Sequence, residues 1–372
     1  MADSKNILVG MSGGVDSSTA CILLKNQGFN VVGVTMWMCD APRNHETYHD
    51  ELPDYIVEAR RLADRLGFPH HVLDVREEFR LKVMDAFANE YMEGRTPNPC
   101  VLCNATIKWS KMAELADRLG LEFIATGHYA RLSAVDGKYY ISRGADSLKD
   151  QSYFLWNVPP QLWGRVVLPL GGLPKEEVKR IAAENGFVSL SQKKESMEVC
   201  FVEDDYRVFL RDAYPHLTET VGRGHFVNAA GDKLGEHEGY PFYTVGQRKG
   251  LRIALGEPAY VQKINPQKNT VMLGDRSSLE TKEIVVENYS LVDVRDLEQP
   301  VLTQIRYRSK PTMSRVRVVN ENLLIVEFDE PVYAAAPGQS ATFYSDDRLL
   351  GGGIIGDAKL LKKAKKMERG KG

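Results

Sequence analysis

Gly10-Met11-Ser12-Gly13-Gly14-Val15-Asp16-Ser17-Ser18 lies between a short apolar run, Ile7-Leu8-Val9, and a helical stretch over about 17–27 that Gly28 stops. A loop in that place turns its amides toward whatever occupies the helix N-terminus, which suits a phosphate. Gly13 and Gly14 lack Cβ, so their backbone can approach an anion closely. Ser12, Ser17 and Ser18 add hydroxyl donors. Asp16 would repel a bare phosphate and is better suited to holding Mg²⁺ or orienting the loop. The pattern is neither Gly-x-x-x-x-Gly-Lys-Ser/Thr nor Gly-x-Gly-x-x-Gly.

A second group of residues carries sulfur chemistry. Asn98-Pro99-Cys100-Val101-Leu102-Cys103-Asn104 places two thiols three residues apart at the mouth of a helix, where the dipole favours thiolate. Pro99 directs the chain, and Asn104 is expected to cap a helix beginning at Ala105. Cys200 supplies a third thiol downstream. As a zinc site the set is poor, because it lacks a fourth ligand at standard spacing. Cys21, inside a helical pattern, and Cys39, closing an apolar run, read as small buried hydrophobes. Five cysteines are too few and too odd in number for a secreted disulfide framework.

The elements that must position these groups alternate. Apolar strands at Ile7-Leu8-Val9, Val31 to Met36, Val72 to Val75 and Glu122 to Thr126 are separated by amphipathic helices. One helix carries Ile56, Ala59, Ala63 and Leu66 on one stripe and ends at Gly67. Others follow over 79–91 and 107–119. This rhythm predicts an α/β fold: a parallel sheet covered by helices, with its ligand where strands end and helices begin. Asp136-Gly137 predicts a hairpin leading into Tyr139-Tyr140-Ile141. Pro174 to Gly186 predicts a helix. The polar stretch from Asp40 to Pro53 predicts a mobile loop. From about Tyr206 short alternating runs broken by turn residues predict all-β structure. The expected organisation is a nucleotide domain over 1–205, a small linking domain over 206–275, a β-barrel-like domain over 280–360 and a disordered basic tail over 361–372.

Ser-Gly-Gly-x-Asp-Ser after a buried first strand resembles the loop of the ATP pyrophosphatase (PP-loop) superfamily. The resemblance implies an N-terminal parallel-sheet PP-loop domain followed by two smaller β-rich domains. It also implies cleavage of ATP, with Mg²⁺, to AMP and pyrophosphate. Gly10, Met11, Ser12, Gly13, Gly14, Val15, Asp16 and Ser17 would then hold the phosphates. Met36 and Gly127, at strand ends, would flank the adenosine.

With Thr96-Pro97-Asn98-Pro99, Cys103 to Lys108, Ala125-Thr126-Gly127-His128-Tyr129-Ala130, Lys149-Asp150-Gln151-Ser152-Tyr153, Val199-Cys200-Phe201, Tyr243 to Gly250, Arg306-Tyr307-Arg308 and Pro337-Gly338-Gln339, the chain is similar to the bacterial tRNA-specific 2-thiouridylases. That family thiolates the wobble uridine of tRNAs for Glu, Gln and Lys. The resemblance implies that Cys200 bears a persulfide received from a cysteine desulfurase or sulfur-relay protein. It further implies that Cys103 releases the sulfur, leaving a Cys103–Cys200 disulfide. It assigns tRNA contacts to Asn98, Pro99, Cys100, His128, Lys149, Asp150, Gln151, Arg306, Tyr307 and Gln339. Many family members have Asp where this chain has Cys100, and that Asp is thought to assist proton transfer. The substitution leaves open a second mechanism, in which Cys100, Cys103 and Cys200 ligate a 4Fe–4S cluster that carries sulfide.

Lys plus Arg total 48 against 50 Asp plus Glu, so a protein that binds RNA must concentrate its positive charge. Between Gln299 and Val319 there is no acid, while Arg306, Arg308, Lys310, Arg315 and Arg317 are basic, and Tyr307 could stack a base. Arg248, Lys249 and Arg252 form a second patch. No apolar run approaches a membrane span, and neither a signal peptide nor a transit helix begins the chain. The expected location is the cytoplasm. Two rivals remain: a PP-loop synthetase of amide chemistry, which needs no thiols, and an inert tRNA-binding protein that retains an ATP loop.

Overall fold

The computed structural model describes residues 5–39, 52–192, 199–202, 205–253 and 256–370. Residues 40–51, where most of the expected mobile loop falls, lie outside them. The chain divides into two compact units. The first contains Met1–Val83, Cys100–Glu203 and Asp347–Leu349, and the second Met84–Pro99, Asp204–Asp346 and Leu350–Gly372.

Seven strands fall in the first unit: β1 (Asn6–Gly10), β2 (Asn30–Trp37), β3 (His70–Asp74), β4 (Phe123–Ala125), β5 (Ala130–Val135), β6 (Lys138–Arg143) and β7 (Val166–Val167). Five form a parallel sheet in the order β3-β2-β1-β4-β7. Leu8 pairs with Val32 on one side and Ile124 on the other. Ile7, Leu8 and Val9 are fully buried, as a central strand covered on both faces requires. The Asp54–Leu66 helix buries Ile56, Ala59, Leu62 and Ala63, and Gly67 closes it in the left-handed conformation (φ 69°, ψ 50°). β5 and β6 form the expected hairpin, with positive φ at both Asp136 and Gly137.

Two helices contain wide π turns that 3.6-residue periodicity does not reveal, over Arg80–Met84 and Asn104–Lys108. The second changes the expected helix start. A short helix begins at Pro99–Cys103 and runs through the π turn into Trp109–Arg118, so both thiols lie within the helical run. Asn104 is therefore no cap: it is buried, and its Nδ2 donates to the Phe154 carbonyl (3.1 Å).

In the second unit, β8 (Gly224–Val227), β9 (Lys233–His237), β10 (Tyr260–Asn265) and β11 (Thr270–Gly274) make a four-stranded sheet. β12 (Glu280–Leu291), β13 (Val301–Gln304), β14 (Thr312–Asn320), β15 (Leu323–Tyr333), β16 (Ser340–Ser345) and β17 (Arg348–Ile355) follow in order β12-β15-β14-β13-β16-β17. Pairing of β12 with β17 closes them into a barrel, which leaves no free sheet edge. Two expectations are corrected. The segment from Tyr206 opens with helices, Tyr206–Ala213 and Pro215–Val221, before the strands begin. The basic tail is not disordered through residue 370, because Ala358–Arg369 is a helix capped by the Asp357 side chain. Leu360, Leu361 and Ala364 seat it against Val285, Val319, Leu323 and Ile325 of the barrel. Arg317–Glu368 and Lys365–Glu283 ion pairs complete the docking.

Candidate active site

The glycine-rich loop is ordered by its own polar groups. Met11 N–H donates to the Val34 carbonyl (2.7 Å), tying the loop to β2. Ser17 Oγ accepts from Ser12 N–H and donates to the Gly14 carbonyl, both at 3.1 Å. Ser18 Oγ donates to the same carbonyl (2.9 Å). Two of the three hydroxyls expected to face a phosphate are thus buried and bonded within the loop. What remains open is backbone: Gly14 begins the Val15–Asn26 helix without a side-chain cap, so its first amides are available to an anion. Gly13 has φ +69°, and a Cβ there would lie 2.4 Å from the Tyr55 carbonyl oxygen.

Asp16 is tied to residues outside the loop. Its Oδ1 accepts from Lys175 Nζ and from the Tyr129 hydroxyl, both at 2.6 Å. It therefore orients the loop through a buried lysine that sequence patterning had placed only at a helix start. Met36 is buried at the end of β2, with its carbonyl accepting from Tyr55 OH (3.4 Å). Gly127 packs on the same helix start, because a Cβ there would lie 2.9 Å from Asp16 C and Ser17 N. Gly127→Ala is expected to destabilise the unit by about 1–3 kcal/mol through that clash. A thermal melt should show it, along with weakened ATP binding as the loop shifts.

The thiols sit in the same unit. Cys103 is buried, Cys100 half-buried and Cys200 exposed. Cys200 lies in a turn closed by Val202 N–H donating to the Val199 carbonyl (2.8 Å). Phe201 and Val202 are buried, and the Phe201 ring meets Phe79 edge-on at 5.7 Å. The turn is thus anchored, with Cys200 itself an exposed residue. Burial pushes the Cys103 thiol up to about 12 and raises Cys100 as well, overriding the helix-dipole effect expected from sequence. The surrounding protein also raises Cys200, while the backbone N–H groups of Cys200 and Phe201 and the charge of Lys108 act the other way.

Lys108 is the cation common to these sulfurs. The wide turn over Asn104–Lys108 brings it round after Cys103. Burial opposes its charge, but the fields of Cys103, Cys200 and Cys100 hold its pKa above the ordinary lysine value. Cys21 is fully buried, its thiol pushed up to about 12, as expected of an inert residue. Cys39 departs from expectation: it is half-exposed and its charge acts on Cys103. Among the described residues no three His, Cys, Asp or Glu side chains gather as metal ligands.

The residues expected to meet RNA fall into two groups. In the first unit, His128 Nδ1 hydrogen-bonds Thr126 Oγ1 (2.7 Å) and its ring stacks on Trp109 (5.9 Å). Burial, with Lys108, brings His128 down to about 3, so it is neutral at physiological pH. Asp150 is buried and accepts from Gly144 N–H, Ser152 and Arg143, which organises the turn that presents Lys149. Gln151 Oε1 accepts from Tyr129 N–H (2.9 Å).

In the second unit, Gln339 Nε2 donates to the Thr96 and Pro97 carbonyls (3.1 and 3.0 Å). Asn98 Nδ2 donates to Ser340 Oγ (3.3 Å) just before Pro99. Arg306 donates to the Ala334 carbonyl (3.3 Å) at the start of a turn closed by Ser309 N–H and containing Arg308 at φ 64°. The basic run is partly neutralised, since Arg315 pairs with Asp329 and Arg317 with Glu327 and Glu368. Arg248 and Lys249 line a 510 Å³ cavity with Tyr206, Arg207, Phe242 and Gln247.

Comparison with known proteins bears on all of these segments. A family model described as the tRNA methyl transferase HUP domain matches residues 5–204. Models of a tRNA methyl transferase PRC-barrel domain and an aminomethyltransferase beta-barrel domain match 214–275 and 281–355. The chain is 50% identical over 361 residues to the tRNA-specific 2-thiouridylase MnmA 3 of Phocaeicola vulgatus, covering 96% of each chain. It is 48% identical over 353 residues to the protein of that name in Bacteroides fragilis, covering 94% of each. Against the tRNA-specific 2-thiouridylase MnmA of Cytophaga hutchinsonii it is 43% identical, over 95% of this chain and 98% of that one. Matches of this extent, running through both the phosphate loop and the thiol segments, place the chain in the tRNA-specific 2-thiouridylase family.

Proposed function

We propose that this chain is an ATP-dependent tRNA sulfurtransferase that converts the wobble uridine of tRNAs for Glu, Gln and Lys to 2-thiouridine. The observation that carries the reading is one compact unit holding both an uncapped phosphate loop and three thiols whose charges act on one another around Lys108. The amides of Gly14 to Ser17 hold the ATP phosphates, with Met36 and Gly127 beside the adenosine. Asp16, the loop's one carboxylate, would be the residue to hold Mg²⁺, and the ion would neutralise phosphate charge there. Uridine O2 attacks the α-phosphorus, pyrophosphate leaves, and C2 acquires AMP as its leaving group.

The terminal sulfur of a Cys200 persulfide, loaded by a desulfurase or relay protein, then attacks C2 and AMP departs. Cys103 thiolate attacks the Cys200 sulfur, releasing 2-thiouridine and leaving a Cys103–Cys200 disulfide. A thiol reductant supplies the two electrons that reset it. With Cys100 in the position where an acid would serve, and His128 neutral, proton handling falls to solvent and to Lys108. Among the described residues no helix is long and apolar enough to cross a membrane, and the substrates place the enzyme in the cytoplasm.

The test is nucleoside mass spectrometry of tRNA incubated with enzyme, ATP and a sulfur source, alongside pyrophosphate release. The expected result is a 16-Da gain at the wobble uridine, replacing oxygen by sulfur, with one pyrophosphate per thiolation. Pyrophosphate without tRNA dependence, or none, would reject the reading.

A further inference from the structure

The persulfide route employs Cys200 and Cys103 and leaves the third clustered thiol, Cys100, without a step. Cys100 and Cys103 stand three residues apart in the helix Pro99–Cys103, so their side chains share one face. Helix geometry puts Cα atoms at that spacing about 5 Å apart, inside the range of about 4.4–6.8 Å that a disulfide spans. Val101, between them, is 2% exposed and holds the turn in the core. Thr106 Oγ1 donates to the Leu102 carbonyl (2.8 Å), bracing the junction with the π turn. The charge of Cys200 acts on both Cys100 and Cys103, and that of Cys100 acts on Cys103. Each sulfur is thus within electrostatic reach of the other two.

Burial is graded across the three. Cys103 is 4% exposed, Cys100 half-buried and Cys200 exposed. One turnover leaves Cys103 bonded to Cys200, and only the Cys200 end of that bond belongs to an exposed residue. An outside thiol attacking there expels Cys103 thiolate into a buried place, where burial already pushes that thiol up to about 12. A neighbour attacking the Cys103 sulfur expels Cys200 instead, a thiolate that the backbone N–H groups of Cys200 and Phe201 stabilise. The better-stabilised thiolate leaves faster, which favours the internal attack.

We propose that Cys100 is the resolving thiol that frees Cys200 after each sulfur transfer. Cys100 thiolate attacks Cys103 Sγ, the Cys103–Cys200 bond breaks, and its electron pair leaves on Cys200. A Cys100–Cys103 disulfide forms and Cys200 is ready for the next sulfur. Cys100 gives its proton to solvent and Cys200 takes one up, so the exchange is redox-neutral. An external dithiol then reduces Cys100–Cys103 with the two electrons that the route already requires. The helix must tighten to bring Cβ atoms from about 5–6 Å to about 3.8 Å, and that strain keeps the new bond reducible. An aspartate at position 100 could form no such bond, so the step belongs to chains with cysteine there. This inference rests on the persulfide route proposed above.

The experiment is one turnover by the full chain, its Cys200 persulfide loaded beforehand, with ATP, Mg²⁺ and unmodified tRNA but no reductant. After acid quench and alkylation, peptide mass mapping is expected to find Cys100 bonded to Cys103 and Cys200 alkylated. Cys100→Ser should end with Cys103 bonded to Cys200. Its steady-state thiolation, driven by a low concentration of a protein dithiol, should be at least about tenfold slower than wild type. Excess small dithiol, attacking Cys200 directly, should restore most of that rate. Loss of a merely structural or RNA-contacting side chain would neither respond to reductant nor change which sulfurs are bonded. Should Cys100→Ser not fold, the wild-type map decides by itself. Wild-type chain that ends as Cys103–Cys200 with Cys100 alkylated, or a Cys100→Ser deficit that dithiol does not relieve, would overturn the assignment. Thiolation that leaves no disulfide at all would reject the persulfide route itself instead.

Discussion

Cys200→Ser is expected to abolish sulfur insertion, by at least about 10³-fold, while leaving tRNA-dependent pyrophosphate release within a few-fold of wild type. The asymmetry follows from where the residue sits. Phe201 and Val202 anchor the turn and the Val199–Val202 bond closes it, so an oxygen in place of sulfur at this exposed residue leaves the anchors of the turn intact. Serine, however, cannot carry a persulfide. Adenylylation, which uses the loop at the other chemical centre of the unit, should continue. Nucleoside mass spectrometry reads the first effect and a coupled pyrophosphate assay the second. Cys103→Ser loaded with a Cys200 persulfide should stall later, as a covalent protein–tRNA adduct visible by intact mass, because the sulfur–sulfur bond has lost its second thiol. Cys21→Ser, at a fully buried thiol away from this chemistry, is the control. Thiolation by Cys200→Ser at wild-type speed would refute the sulfur half of the mechanism.

The strands and the phosphate loop were legible because their causes are local. Ile7-Leu8-Val9 is apolar without interruption, and Gly13-Gly14 has a backbone reason to be glycine. Gly67 ends its helix where the left-handed conformation requires it. What escaped the sequence has non-local or non-periodic causes. The π turn at Asn104–Lys108 inserts a residue without disturbing the apolar stripe on either side, so the helix was read as beginning at its second half. Lys175 looked like an ordinary first-turn residue because its partner lies 159 residues away in the chain. Leu360, Leu361 and Ala364 are spaced for one helical face, but the lysines between them give the tail the composition of a solvated segment. The thiols mislead in the opposite sense. Their place near a helix start predicts a depressed pKa, and burial, invisible in a local window, reverses it.

That reversal makes Lys108 the residue on which thiol reactivity should turn. With Cys103 held near 12, its thiolate fraction at neutral pH is small and rises about tenfold per pH unit until the pKa is reached. Lys108 is the positive charge that lowers Cys103, Cys100 and Cys200 alike, and among the described residues no carboxylate pairs with it. Removing that charge must shift the thiol titrations upward, so reactivity should fall at every pH below the new midpoint. Lys108→Met is expected to move the pH profile of iodoacetamide alkylation at Cys103 and Cys200 upward, read as roughly tenfold slower modification at pH 8. Thiolation should slow in parallel, with ATP binding unchanged. Lys108→Arg, which keeps the charge, should restore most of the alkylation rate. His128, brought down to about 3, cannot substitute for the lost cation, since it stays neutral across the range assayed. An alkylation profile in Lys108→Met that overlays the wild-type curve would show that the ammonium does not act on the sulfurs, whatever its effect on turnover.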